Sequence, residues 1–317
     1  MEVFAARTLM KTGILAKLPG EGIQASMLER LLRLLVGTRF INRTPDGQYS
    51  HTGFSRAYLA SPGDWFVVLS PLVRYPEYLD TNPELVEPHS ITQNPYAWQH
   101  GMEGTNTWDV MGSVPERLAR FQRGLGMMSP MNPVTGYYDF GGLQATEGRP
   151  VLVDEVVPDS ASWTSSKLIP SSIQSLIILQ DRAEVIELAR LNEQLPGGLV
   201  KMSHDFFNPQ PVNGASAYYL RMIIHDYADE TATSILRHLA AAMAPDSRLI
   251  LAETVVPDRV DEASLPAATI DLFEFICGGK ERTVAGLEKI LKAAGLELRK
   301  VWQPEGIAQA IVEALLG

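Results

Sequence analysis

The residues VLVDEVVPDSASWTSSKLIPSSIQSLIILQD, Val151 to Asp181, decide the fold. Three apolar residues lead into the acids Asp154 and Glu155, a polar stretch follows, and a second apolar run, Leu176 to Leu179, ends on Gln180-Asp181. A buried strand, a crossover and a second buried strand ending in an acid form the βαβ unit with which nucleotide-type cofactor folds begin. Such units turn on glycines after the first strand, because the backbone must bend sharply and approach the cofactor with no Cβ between them. Here the turn reads Glu155-Val156-Val157-Pro158-Asp159-Ser160, and no glycine occurs between Gly148 and Gly197. The frame of a cofactor domain is kept while its loop is lost.

Beyond this unit the pattern alternates. A helix is predicted over Arg182–Leu191, a strand over Leu199–Ser203 and another over Ala217–Ile224. A helix over Glu230–Met243 and a strand over Arg248–Val256 follow, then helices over Leu265–Ile276 and Val284–Ala294. Leu296–Trp302 and Ile307–Leu315 read as a closing strand pair, with a helix the alternative for the last stretch. Alternation of this kind predicts an α/β domain over residues 146–317, a mainly parallel sheet with helices on both faces. Ligands in such sheets sit outside the carboxyl ends of the strands. Asp181, Asp205, His225 and Glu253 all fall at or just after those ends.

Towards the N-terminus, residues 1–60 read as a helical unit with a β-wing. Val3–Leu18 and Ser26–Val36 carry apolar residues at helical spacing, and Pro45 to Gly47 supplies a tight turn between Phe40–Arg43 and Tyr49–Thr52. A winged helix reads DNA where it has a basic face; with a net charge of -10 this chain has no such balance, and a packing role is expected. Residues 61–145 form a helical connecting region rich in large apolar side chains: Trp98, His100, Met102, Trp108, Met111, Met127 and Met128. These read either as core or as an adaptable pocket for a flat substrate. The single Cys277 fits a reducing compartment, and no apolar run approaches the roughly 18–20 residues of a membrane span. The expectation is a cytoplasmic protein with a small-molecule substrate and no nucleic-acid or membrane partner.

Five segments together resemble the plant and fungal small-molecule O-methyltransferases that use S-adenosylmethionine. They are Leu179-Gln180-Asp181, His204-Asp205-Phe206-Phe207, His225-Asp226-Tyr227-Ala228-Asp229-Glu230, Ala244-Pro245-Asp246-Ser247-Arg248-Leu249 and Gly278-Gly279-Lys280-Glu281-Arg282-Thr283. The resemblance implies a class I methyltransferase Rossmann-like domain behind a winged-helix-like one. It implies that Asp181 holds the cofactor ribose, that Asp205 and Phe206 line the adenine, and that Asp154 ends the first strand of that site. It further implies that His225 is the base that takes a phenol or enol proton, oriented by Glu253 and Glu281; a cation at Lys280 or Arg282 beside it belongs to the non-methylating reading below. No metal is implied. Asp226 and Glu230 read otherwise as helix caps, and Lys280 as a solvated cation.

Two departures qualify the resemblance. Val156, Val157, Pro158 and Ser160 occupy the family's glycine positions, where side chains fill the space of the cofactor's methionine end. Pro158 removes a backbone donor, and Glu155 and Asp159 place negative charge beside a carboxylate ligand. The second departure is an abrupt start at Met1, from which the leading helices of the family's intertwined homodimer are expected to be missing, so a homodimer is an open expectation. The favoured expectation is a non-methylating enzyme of cyclase or pericyclase type, with no cofactor. The alternatives are an O-methyltransferase whose altered loop still binds S-adenosylmethionine, and a non-catalytic pseudoenzyme.

Overall fold

A computed structural model describes residues 32–33, 35–36, 39–52, 74–82, 87–128, 136–143, 149–155, 177–191, 199–260, 264–305 and 307–317. The chain divides into two compact units, Met1–Val68 with Glu116–Gly124, and Leu69–Pro115 with Leu125–Gly317.

In the first unit the expected pair of short strands around a tight turn is present. β1 (Ile41–Arg43) pairs antiparallel with β2 (Tyr49–His51), with Asn42 opposite Ser50. Its turn closes because Gly47 accepts a φ of 86° and the Thr44 hydroxyl takes the Gln48 N–H at 3.0 Å. The predicted helix Val3–Leu18 and most of Ser26–Val36 lie outside the described residues. Within the latter, 32–33 and 35–36 are helical, and Leu32 and Leu35 are fully buried.

The second unit is built on a seven-stranded sheet of β3 (Leu152–Glu155), β4 (Ile177–Asp181), β5 (Val200–Ser203), β6 (Ala217–Arg221), β7 (Arg248–Thr254), β8 (Leu296–Trp302) and β9 (Gln309–Leu316). Their order is β5-β4-β3-β6-β7-β9-β8. The first five are parallel to one another, and β9 runs antiparallel to both β7 and β8. The strand alternative for the last stretch is therefore the one realised. Pairing on both sides leaves β9 largely buried, which a run such as Ala310-Ile311-Val312 satisfies without alternation.

The helices are α1 (Tyr75–Thr81), α2 (Pro95–Gln99), α3 (Thr107–Gly112), α4 (Pro115–Met128), α5 (Ala183–Leu191), α6 (Asp229–Ala242), α7 (Leu265–Cys277) and α8 (Val284–Ala293), of which α4 falls mostly in the first unit and the others in the second. One face of the sheet is covered by α6 and α8, whose Ile235, Leu236, Leu239, Leu287, Ile290 and Leu291 meet Tyr218, Leu220 and Leu251. Each such side chain contributes about 1.5–3 kcal/mol by leaving water. On the other face Tyr138, Phe140 and Leu143 pack on Leu152, Ala217 and Ile250. The α/β class and its two covered faces match the expectation. No helix among the described residues is long and apolar enough to cross a membrane.

One boundary differs in a way that makes the site. The strand predicted over Ala217–Ile224 stops at Arg221. Met222 takes a φ of 52°, a left-handed backbone costly for a non-glycine residue, and Ile224–Asp226 turns as a short 3-10 helix. The cause is on the neighbouring strand: Glu253 Oε1 accepts the N–H groups of Ile223 at 3.2 Å and Ile224 at 2.9 Å. Those donors are thus drawn out of the ladder, and His225 follows them.

Candidate active site

Three pieces of chain converge past the carboxyl ends of β6 and β7. They are the turn carrying His225 and Asp226, the end of β7 carrying Glu253, and the C-terminal part of α7 with the residues after it. α7 stops because Gly278 adopts a φ of 87°, with the Gly279 N–H closing on Glu274 O at 2.8 Å. A Cβ on Gly278 would lie 2.4 Å from Ser90 O, and one on Gly279 would lie 2.4 Å from His225 O. The glycine pair thus lets this segment press against the His225 turn, where the Lys280 N–H bonds His225 O at 2.6 Å.

This approach places Glu281 Oε1 2.7 Å from His225 Nδ1. His225 is 5% exposed and Glu281 4%. Two further acids complete the surroundings. Glu274 Oε1 stands 4.0 Å from Nδ1, and Asp226 Oδ1 stands 3.7 Å from Nε2, beyond hydrogen-bond reach. Burial drives the His225 pKa down, but Glu281, Glu274 and Asp226 outweigh it and hold the imidazole well above its ordinary value. Burial likewise raises Asp226 to about 7 and Glu274 well above the carboxylate range. Glu253 is raised by burial too, against the opposing pull of His225 and the two N–H groups it accepts. One oxygen of Glu253 and one of Glu281 are buried with no hydrogen-bond partner. His225 with Asp226 and Glu274, and His225 with Glu253 and Glu281, each bring ligand atoms within 4.8 Å, a spacing that can hold a cation.

Arg282, 4% exposed, locks the turn from behind. Its guanidinium donates to Ile224 O at 2.9 Å, Tyr227 O at 2.7 Å and Lys280 O at 3.2 Å, and pairs with Asp229 at 3.1 Å. It is a clamp on the residues flanking His225, with its donors spent on the protein. Lys280 is not brought to the cluster: its ammonium pairs with Glu87 at 3.0 Å and its side chain is 40% exposed. Glu253 serves the turn rather than the ring, through the two N–H groups. Glu274 went unremarked in the sequence. Its signal is an acid set between Phe273 and Phe275 on a mostly apolar helix.

At the other strand ends, Asp181 closes β4 with Oδ1 accepting the Arg182 N–H at 2.7 Å, while Oδ2 is buried without a partner. Burial lifts its pKa to about 7. Glu155, at the end of β3, accepts from Gln210 Nε2 at 2.9 Å, and burial raises it to about 8. It is mostly protonated at neutral pH, which corrects the expectation that it adds negative charge there. Asp154 beside it is 4% exposed. Asp205 is exposed and caps its own turn through Phe207 N and Asn208 Nδ2, both at 3.1 Å. Phe206, Phe207 and Tyr227 form an aromatic trio with centroids 5.0–5.9 Å apart. Residues 156–176, with the altered loop, lie outside the described residues.

Of the pocket candidates, Trp108 donates its indole N–H to the Tyr227 hydroxyl, linking α3 to the residue two beyond His225. Trp98 stacks under Arg74 at 4.7 Å and edges onto Tyr78. His100 meets Tyr96 edge-on at 4.9 Å, Met102 accepts from Ser113, and Met111 is buried core. Met127 and Met128 fall in α4, but their side chains are outside the described set. Asn94, 1% exposed, ties this region to α7 by donating to Cys277 O at 3.0 Å and Thr107 Oγ1 at 2.8 Å.

Residues 165–297 match the family model for the O-methyltransferase domain. The chain is 34% identical over 313 residues to O-methyltransferase hmp5 of Hypomyces subiculosus, covering 93% of this chain and 76% of that protein. Among solved structures it is similar to OxaC in complex with sinefungin and meleagrin, with a TM-score of 0.77, 24% identity and coverage of 100% and 85%. LepI in complex with SAM gives a TM-score of 0.72 at 21% identity, over 99% of this chain and 86% of that one. The same values hold for a structure described as a pericyclic reaction enzyme. The shared sheet and the match to hmp5 across most of both chains establish that this chain belongs to the O-methyltransferase family.

Proposed function

We propose that the chain is an acid–base enzyme of natural-product biosynthesis acting on a polyketide-like or aromatic small molecule, and that its step is a proton transfer, dehydration or ring closure rather than methylation. The observation that carries this reading is the His225 ring, held by Glu281 at 2.7 Å with Glu274 and Asp226 close by, surroundings that raise its pKa well above the ordinary imidazole value and favour the imidazolium. An imidazolium with Nε2 left to a substrate is a proton donor for a carbonyl, enol or departing hydroxyl oxygen. Methyl transfer to a phenol needs the neutral base instead. The loop sequence supports the same reading, since Val156, Val157, Pro158 and Ser160 stand at the glycine positions. Solved relatives of this fold include a pericyclic reaction enzyme and LepI bound to SAM, so a non-methylating reaction and cofactor binding are compatible properties.

Methylation is the second reading, and Asp181 favours it. Its buried, unpartnered Oδ2 is suited to the ribose hydroxyls of S-adenosylmethionine, and the resemblance assigns Asp205 and Phe206 to the adenine. When bound, that cofactor supplies an electrophilic methyl group. The purified protein incubated with a panel of phenols and enone-bearing polyketides, with and without S-adenosylmethionine, separates the readings. An isomer or a product lacking one water is expected, and a product gaining one methylene only with the cofactor overturns the proposal. His225→Ala is expected to reduce turnover by about 10²–10⁴-fold. In the acid role, turnover falls as pH rises through the raised His225 pKa. A methylating base gives the opposite slope.

A further inference from the structure

Nδ1 of His225 is taken by Glu281, while Nε2 of this buried ring makes no hydrogen bond among the described residues. Asp226 Oδ1 stands 3.7 Å from Nε2. Two ligands about 2.0–2.2 Å from one ion, at a tetrahedral angle, lie roughly 3.3–3.6 Å apart. The gap is thus too long for a hydrogen bond and close to that across a shared ion. Glu274, buried on α7, brings a third ligand from a separate piece of chain: atoms of His225, Asp226 and Glu274 all lie within 4.8 Å of one another. The charges also call for a cation. Glu253 and Glu281 join Asp226 and Glu274 around the one imidazole, and each keeps a buried oxygen with no hydrogen-bond partner. The neighbouring cations are engaged elsewhere, Arg282 on carbonyls and Asp229, Lys280 on Glu87.

We infer that His225 Nε2, Asp226 and Glu274 are the three protein ligands of a divalent-cation site, with Glu281 holding the ring for the ion through Nδ1. An imidazole with two carboxylates is a donor set for zinc, and three protein ligands leave the fourth position open. A ligating histidine is characteristically fixed by a carboxylate on its other nitrogen, the arrangement that His225 and Glu281 have at 2.7 Å. The resemblance implied no metal, and Glu274, the donor that completes the set, belongs to none of the motifs that carry it. The consequence for turnover rests on the proposed function. Nε2 cannot hold an ion and a proton together, so zinc takes the place of the proton that His225 gives to the substrate. The loaded form is then the inactive one, and chelation restores the acid.

The test uses the full chain, freed of metal by a chelator that is then removed. Calorimetric titration with zinc chloride is expected to show one site per chain, and Zn²⁺ in excess to raise the Tm by a few degrees. Paramagnetic Co²⁺, a stand-in for zinc, should shift or broaden the His225 ring signals in NMR, assigned by their loss in His225→Asn. Asp226→Asn and Glu274→Gln should each weaken Zn²⁺ binding at least about tenfold, and Glu281→Gln should weaken it by about 10–100-fold through the loosened ring. Circular dichroism shows which variants fold, and where one does not, the wild-type NMR decides alone. Absence of binding, Co²⁺ bound without effect on the His225 ring, or unchanged affinity in folded Asp226→Asn and Glu274→Gln overturns the inference. None of these readouts uses substrate, so their failure leaves the acid role of His225 standing. Methylation of the substrate panel would instead remove that role and leave the cation site in place. Where both hold, Zn²⁺ stops turnover and a chelator brings it back.

Discussion

Where Gly279 would carry a side chain, the carbonyl oxygen of His225 stands 2.4 Å from the first carbon. Real Cβ atoms do not come so close, so Gly279→Ala must push the turn away from Glu281 and loosen the 2.7 Å contact. Turnover should fall at least about tenfold, with a stability loss on the order of 2–4 kcal/mol by urea unfolding. Gly112→Ala, whose added carbon meets nothing within 4 Å, is the control that should change little. A second residue-scale effect belongs to Glu155. In the folded chain it keeps its proton up to about pH 8, while unfolded it releases it near 4.5. Between those values the folded state binds more protons, so this group makes stability fall as pH rises, with its full penalty above the folded value. Glu155→Gln keeps an acceptor for Gln210 and removes that penalty. Its unfolding free energy from urea titration should rise most at the alkaline end of the window, by on the order of 3–5 kcal/mol, and not at all at the acid end. An equal gain at both ends would mean that Glu155 does not hold its proton.

At the scale of elements, the site depends on an extended segment, residues 278–282, pressed against a short turn. Arg282 fastens the two. Arg282→Lys retains the charge but not the planar fork that reaches Ile224 O, Tyr227 O and Lys280 O together. It should cost about 2–4 kcal/mol of stability by leaving buried carbonyls unpaired, and lower kcat more than it raises KM. A variant of wild-type kcat would show that the turn holds itself. These elements were legible in the sequence to different degrees. The strands were plain because Ile177-Ile178-Leu179 and Leu249-Ile250-Leu251 are apolar on both faces. The end of β6 was not, since Met222-Ile223-Ile224 continues the apolar run and only the long-range carboxylate of Glu253 bends it away. His225 and Glu281 could be read from the motif that carries them. Lys280 was drawn in with its neighbour, but successive residues of an extended segment point to opposite sides, so Glu281 facing His225 sends Lys280 to Glu87. Glu274 was hidden because helical periodicity marks a buried position without saying what an acid there will meet.

For the molecule as a whole, the open question is what the strand ends of the sheet still bind. On the proposed nucleoside side, the buried Oδ2 of Asp181 has no hydrogen-bond partner and costs free energy until it finds a donor. The methionine side has changed in sequence at four glycine positions at once, although the negative charge once attributed to Glu155 is largely absent at neutral pH. Sterics rather than repulsion then carry the case, and sterics can be reversed by mutation. Calorimetric titration should show adenosine binding to the wild type about as tightly as S-adenosylmethionine, because the amino-acid tail adds nothing where it finds no room. The triple variant Val156→Gly, Pro158→Gly, Ser160→Gly should then gain at least about tenfold in affinity for S-adenosylmethionine, about 1.4 kcal/mol, with adenosine unchanged. Asp181→Asn should weaken both ligands in both backgrounds. If the wild type instead binds S-adenosylmethionine far more tightly than adenosine and the glycines add nothing, the loop accommodates the tail, and the chain holds its cofactor as LepI does in complex with SAM. The reaction at His225 would still be decided by the slope of turnover with pH, because a bound methyl donor is used only if the imidazole can first give up its proton.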